Sequence, residues 1–192
     1  MSLLPSVQWL AATPGSITLR ESWYAYPLVE SAHVLTLCVF VGLAVMWDLR
    51  LLGITLTSVP CSEFKRRLGP WIKGGFVVMM TTGVLLFYAT PVRSYQSLWF
   101  RMKAATIVLA GLNAFVFHRG IDRTIEQWDR DPVPPRAARR AGAASLILWA
   151  VIIVCGRLIA YNWFDCDKQP QPHIVNVAAG CVVENRAPEG AR

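Results

Sequence analysis

The chain has 192 residues, 54% of them hydrophobic and only 16% charged, with a formal net charge of +7. An ordinary soluble domain of this length carries more charge and alternates its apolar residues with polar ones, so that class is excluded. The excess positive charge does not point to nucleic acid, because Lys and Arg fall between long apolar blocks, where they orient a membrane protein.

In chain order, Met1 to Tyr26 lacks a basic start followed by an apolar core, so no cleavable signal peptide is expected and the first apolar block serves as the insertion signal. Ser16 to Tyr26 reads as a short interfacial helix carrying Trp23, Tyr24 and Tyr26. Four apolar blocks follow, at about Pro27–Ile54, Pro70–Thr90, Leu98–His118 and Ala141–Trp163. Each is close to the roughly 20 residues a helix needs to cross the hydrocarbon layer. Helices are the natural form there, because they satisfy their own backbone groups in lipid. Pro27 and Pro70 suit first-turn positions, and Pro91 ends the second helix. The expected fold is an all-α membrane protein: an outer interfacial segment (1–26), a four-helix transmembrane domain (27–163) and an outer, mostly irregular tail (164–192) whose last residues, Ala187 to Arg192, are expected to be disordered.

Orientation follows from the basic residues. The loop after the first block carries Arg50, Lys65, Arg66 and Arg67, and the loop after the third carries Arg119, Arg123, Arg130, Arg136, Arg139 and Arg140. The N-terminal segment offers only Arg20 and the second loop only Arg93. The positive-inside rule places the two basic loops in the cytoplasm and both termini in the periplasm of a bacterial inner membrane. Cys166 and Cys181 then lie in an oxidising compartment, which favours a disulfide over two free thiols or a metal pair.

Between lipid-solvated helices, small residues set close packing. Gly75 and Gly83 on the second block, Ala110 and Ala114 on the third, and Ala141, Ala144 and Ser145 on the fourth are expected to meet inside the bundle, although an outward face toward another copy or partner stays open.

Ionisable groups in a span are costly and mark function or register. Glu30 and His33 are three residues apart on the first helix, and Asp48 follows Glu30 by five whole turns, so the three share a face. On the third block Lys103, Thr106, Ala110, Asn113 and Phe117 form an interior stripe, with Arg101 off it and expected to snorkel. Two layers result: an outer one of Glu30, His33, Lys103 and Arg157, and an inner one of Asp48, Asn113 and His118, near Arg50 and Lys73. Each layer is either an ion-paired clasp that fixes helix register or, for the outer one, a small site with Glu30 and His33 as ligands or proton carriers.

Three chemistries fit this pattern. A b-type haem needs axial ligands, and His33 and His118 sit about 20 Å or more apart along the membrane normal, so haem would use His33 with Met102 or a single ligand. Copper(I) would use soft groups such as His33, Met102, Cys38, Cys155, Met79 and Met80. A di-iron centre is rejected, because beyond Glu30 and His33 only Asp48, at the far end, is available. A role in docking a periplasmic partner is the third. No nucleophile elbow, phosphate loop or dinucleotide fingerprint is present, so a soluble-type enzyme is not expected.

The segments Tyr26–His33, Asp48–Gly53, Phe100–Lys103, Ala110–Asn113 with His118, and Gly156–Tyr161 together resemble an uncharacterised family of bacterial four-helix inner-membrane proteins, a domain of unknown function, over about Trp9 to Trp163. That resemblance implies the fold and the membrane location, not an activity. A looser likeness to copper-resistance-D-type membrane proteins rests on the helix count and an early His in a span. The positions that carry the first resemblance are Glu30, His33, Asp48, Arg50, Lys103, Asn113, His118 and Arg157. The functional expectation is a non-enzymatic membrane component that serves a periplasmic redox or metal-handling system. A haem b electron-transfer subunit, a copper transporter and a structural anchor stand as alternatives.

Overall fold

A computed structural model of the chain describes residues 3–161, 164, 166 and 169–181. Its described residues are helical, with no strand among them. Two short helices, α1 (Leu4–Ala11) and α2 (Pro14–Glu21), precede the first long one, α3 (Ala25–Leu52). Then come α4 (Cys61–Ala89), the short α5 (Pro91–Tyr95), α6 (Leu98–Arg119), a 3-10 helix (Ile121–Gln127), α7 (Arg136–Ile159) and the short α8 (His173–Ala179). The fourth span, expected at about Ala141–Trp163, is α7, which starts a turn earlier and ends at Ile159, while Trp163 itself and the expected disorder of Ala187 to Arg192 lie outside the described residues.

The four long helices are each apolar and long enough to cross a bilayer, and only 11–17% of each apolar window is buried inside the protein. The rest, including Val34, Leu35, Val39, Val77, Val84, Val108, Leu112 and Val154, faces outward. In water such a surface would be far larger than the patches soluble monomers tolerate. In lipid it is the solvated face. The chain is therefore a multi-pass membrane protein of the all-α class.

Helix α3 is the hub, packing on α4 and on α7, while α6 packs on α7. Glycines set the approaches. A Cβ on Gly75 would sit 3.2 Å from that of Phe40, and one on Gly142 would sit 3.1 Å from the Asp48 carbonyl oxygen. The expectation that Gly75 and Gly83 face the interior holds, as it does for Ala110, whereas Ala114 is exposed. Phe40, Met79, Ala110, Trp149 and Ile152 fill the middle of the bundle, with the Phe40 and Trp149 rings edge-on at 4.8 Å. Helices α4 and α6 meet through side chains, as in the Phe87–Phe100 stack at 5.4 Å.

The end bearing the basic loops is tightly closed. Gly53 ends α3 at a φ of +73°, and the Gly53 and Ile54 amides donate to the Arg50 and Leu49 carbonyls, closing the last turn. Asp129, from the other basic loop, accepts the Ser62 amide at 2.6 Å and the Ser62 hydroxyl at 2.8 Å, capping the start of α4 from a distance. Lys65 pairs with Asp122 at 2.6 Å. Fully buried Arg50 donates to the Val59 carbonyl at 2.9 Å and the Asp131 carbonyl at 3.3 Å. The two basic loops thus form one folded cap.

Other expectations change too. Pro70 is not in a first turn but inside α4, which starts nine residues earlier at Cys61. Its missing N–H leaves the Arg66 carbonyl without a helix partner, at the aqueous end where that residue is exposed and water serves. The interfacial segment holds two helices rather than one, and α2 ends before the exposed Trp23 and Tyr24. In the described part of the tail, expected to be mostly irregular, His173–Ala179 form α8 beside the Cys166–Cys181 disulfide, and Arg101 does not snorkel but donates to the Ala178 and Ala179 carbonyls at the end of that helix, at 2.6 and 3.0 Å.

Candidate functional site

Of the polar groups in the spans, two turn into the bundle in the layer farther from the basic loops. His33 on α3 lies against α4, where its Nδ1 is 2.8 Å from the Thr82 hydroxyl oxygen. That hydroxyl donates its proton to the Val78 carbonyl at 2.8 Å, so the imidazole is the donor and Nδ1 carries the hydrogen. The lone pair of a neutral ring then sits on Nε2. The ring can lie this close because position 83 is glycine: a Cβ there would be 3.3 Å from His33 Cε1.

Lys103 on α6 reaches across to α7. Its Nζ lies 3.4 Å from where a Cβ on Gly156 would be, beside buried Cys155. Among the described residues no carboxylate pairs with this ammonium, and the ion pairs all lie in the end segments. Among the described residues, then, the layer forms no ion-paired clasp. Helical rotation accounts for the difference. Glu30 is exposed on the outside of α3, and Arg157 is exposed with its guanidinium 5.0 Å above the Tyr161 ring.

The second layer is also without an ion pair. Asp48 is buried, near Ser145 of α7, and its Oδ2 has no hydrogen-bond partner. Asp48 and Arg50 do not meet, because two residues along a helix turn about 200°. Asn113 donates to the Ala141 carbonyl at 3.0 Å, so Asp48 and Asn113 both engage the same stretch of α7. His118 does not join them. It is exposed, with Nδ1 2.8 Å from the Ala114 carbonyl oxygen of its own helix. Lys73 is exposed as well.

The residues considered for haem or copper are dispersed. Met102 is 43% exposed on the outside of α6, one residue from inward-turned Lys103, so it does not share a face with His33. Cys38 is exposed, whereas Met79 and Cys155 are buried in the packed interior. Among the described residues no group of three or more His, Cys, Asp or Glu side chains converges to hold a metal.

Thr82 and Gly156 complete the outer pair; Gly156 opens the Gly156–Tyr161 segment of the resemblance, whereas Thr82 stands out neither as a charge nor in a motif. The signal for Thr82 is a polar residue next to Gly83, one turn from Met79 on the face that α3 covers. The model of a family described as a family of unknown function, DUF6644, matches residues 20–162, a stretch that holds all of these groups. No curated protein and no solved structure matches the chain.

Proposed function

The chain belongs to the DUF6644 family, and from that premise we propose that it is a non-enzymatic component of the bacterial inner membrane, with both termini periplasmic, that serves a periplasmic redox or metal-handling system through the layer around His33 and Lys103. The observation that carries this reading is an inward-turned ammonium with no carboxylate beside it among the described residues, in the same layer as an imidazole bearing its hydrogen on Nδ1. A lysine left without a counter-ion inside an apolar bundle is costly and is retained for function more readily than for packing. An oxygen-bearing group entering from the periplasm accepts a hydrogen bond from Lys103 while exchanging a proton with Nε2 of His33. His33 is then the proton carrier and Lys103 the group that orients and neutralises its partner.

A second reading has one specific support. A histidine whose Nδ1–H is held by a hydrogen bond presents Nε2 as a ligand, the usual arrangement at haem iron or copper. An ammonium in the same layer disfavours a cation there, and Met102 faces away.

Two measurements on the purified protein in detergent separate these readings. Protonation-difference infrared spectra should contain an imidazole signal that His33→Gln removes and Lys103→Met displaces, with both variants melting cooperatively. Spectra unchanged by either substitution contradict the proton-carrier role. A Soret band or stoichiometric copper that disappears in His33→Gln would replace it with the ligand role.

A further inference from the structure

At the end of the bundle opposite His33 and Lys103, the last residue of α3 and the first turns of α7 enclose an open cleft of about 340 Å³, lined by Leu52, Arg136, Arg139, Arg140 and Ala143. All three arginines are exposed, and among the described residues none forms an ion pair. Three arginines lining one cleft, with no ion pair among the described residues, suit an oxyanion. The cleft also has an apolar side, which a site for a soluble anion does not need.

Its position defines the ligand. Helix α3 ends and α7 begins here, so the arginines stand at the boundary between the apolar layer and water. Along α7 the cleft continues into a lipid-facing stripe. Arg136, Arg140, Ala143 and Ile147 follow at four-, three- and four-residue steps, and Val154 is two turns beyond Ile147. Ile147 and Val154 are 65% and 56% exposed, so the stripe presents hydrocarbon below and positive charge above.

We propose that the arginine cleft between the end of α3 and the start of α7 binds the phosphate headgroup of an anionic membrane lipid, with an acyl chain lying along the α7 stripe. Basic pockets between transmembrane helices on the positively charged side recognise such headgroups. The cleft shares no residue with the His33–Lys103 layer, so substitutions at one site test it without disturbing the other.

The test is a titration of the full-length protein in neutral detergent with fluorescent phosphatidylglycerol, using phosphatidylcholine and inorganic phosphate as competitors. Binding should survive both competitors. The triple variant Arg136→Gln, Arg139→Gln, Arg140→Gln should weaken it at least about tenfold. A control triple of equal charge in the same loop, Arg119→Gln, Arg123→Gln, Arg130→Gln, should change it by less than about twofold. If the cleft triple does not fold, Arg140→Gln alone should weaken binding by about threefold or more. Equal losses in both triples would show a diffuse surface charge and overturn the proposal. Displacement by phosphatidylcholine would do the same, and displacement by millimolar inorganic phosphate would assign the cleft to a free anion instead.

Discussion

At Gly142 the helices α3 and α7 approach so closely that an added methyl group would press on the Asp48 carbonyl oxygen at 3.1 Å and on Leu51 Cβ at 3.2 Å. Neither contact is the end of a flexible side chain, so the helices themselves must part. Gly142→Ala should destabilise the protein by about 1–3 kcal/mol, as overpacking does. Gly111→Ala is the matched control, because nothing lies within 4 Å of the added atom, and replacing a helical glycine there should be neutral or stabilising by up to about 1 kcal/mol. Thermal melts in one detergent read both, and a melt of Gly142→Ala equal to that of the parent would refute the close approach. The same scale shows what sequence spacing resolves. Helical periodicity places His33, Asp48, Lys103 and Asn113 toward the interior, and they lie there. Periodicity also groups Glu30 with them, and depth alone groups Met102, Arg157 and His118, and these four are exposed. The same turn of a helix presents residues to the partner and to lipid, and only packing selects between them. Partners such as Thr82 for His33 come from another helix, at a sequence distance that no local pattern reports.

Elements end where distant groups allow, which explains the boundaries that apolar patterning misplaces. Hydropathy begins the second span at Pro70, whereas α4 begins at Cys61, because its first turns are stabilised by polar contacts rather than by burial in lipid. Glu63 pairs with Arg66 and Arg67 one turn on, and Asp129 supplies the missing cap from the other basic loop. Removing a side-chain cap costs on the order of 1 kcal/mol. Asp129→Ala should therefore lower the melting temperature and speed amide exchange in Cys61 to Lys65, with little change at the far end of α4. Uniform exchange along α4 would contradict the capping role. Helix α8 has a different anchor. The Arg101 guanidinium holds its last carbonyls, and the Cys166–Cys181 disulfide closes the segment around it. A short helix of this length is not stable alone. Arg101→Ala combined with reduction should release 173–179 to rapid exchange and leave the four long helices protected, whereas protection retained in α8 would show another anchor. The cysteine pairing was accessible from compartment and spacing, but the arginine clasp was not, since Arg101 carries no sign of where it bends.

For the whole molecule, the four helices and their alternating direction are the features most legible in the sequence, because lipid imposes long apolar segments that composition alone reveals. How they pack is less so: α3 as the hub, and the joining of both basic loops into one cap through Arg50, Asp129 and Lys65, depend on contacts between segments far apart in the chain. The proposed roles at both ends, a proton-exchanging pair facing the periplasm and a headgroup cleft facing the cytoplasmic leaflet, require one orientation. Labelling with a membrane-impermeant maleimide tests it directly. In a background where the native cysteines are replaced by serine, Thr18→Cys on α2 and Glu126→Cys in the capped loop place single thiols at exposed positions at opposite ends. Intact cells expressing each variant should label Thr18→Cys and spare Glu126→Cys until the membrane is opened. Labelling of Glu126→Cys but not Thr18→Cys in intact cells would contradict the account.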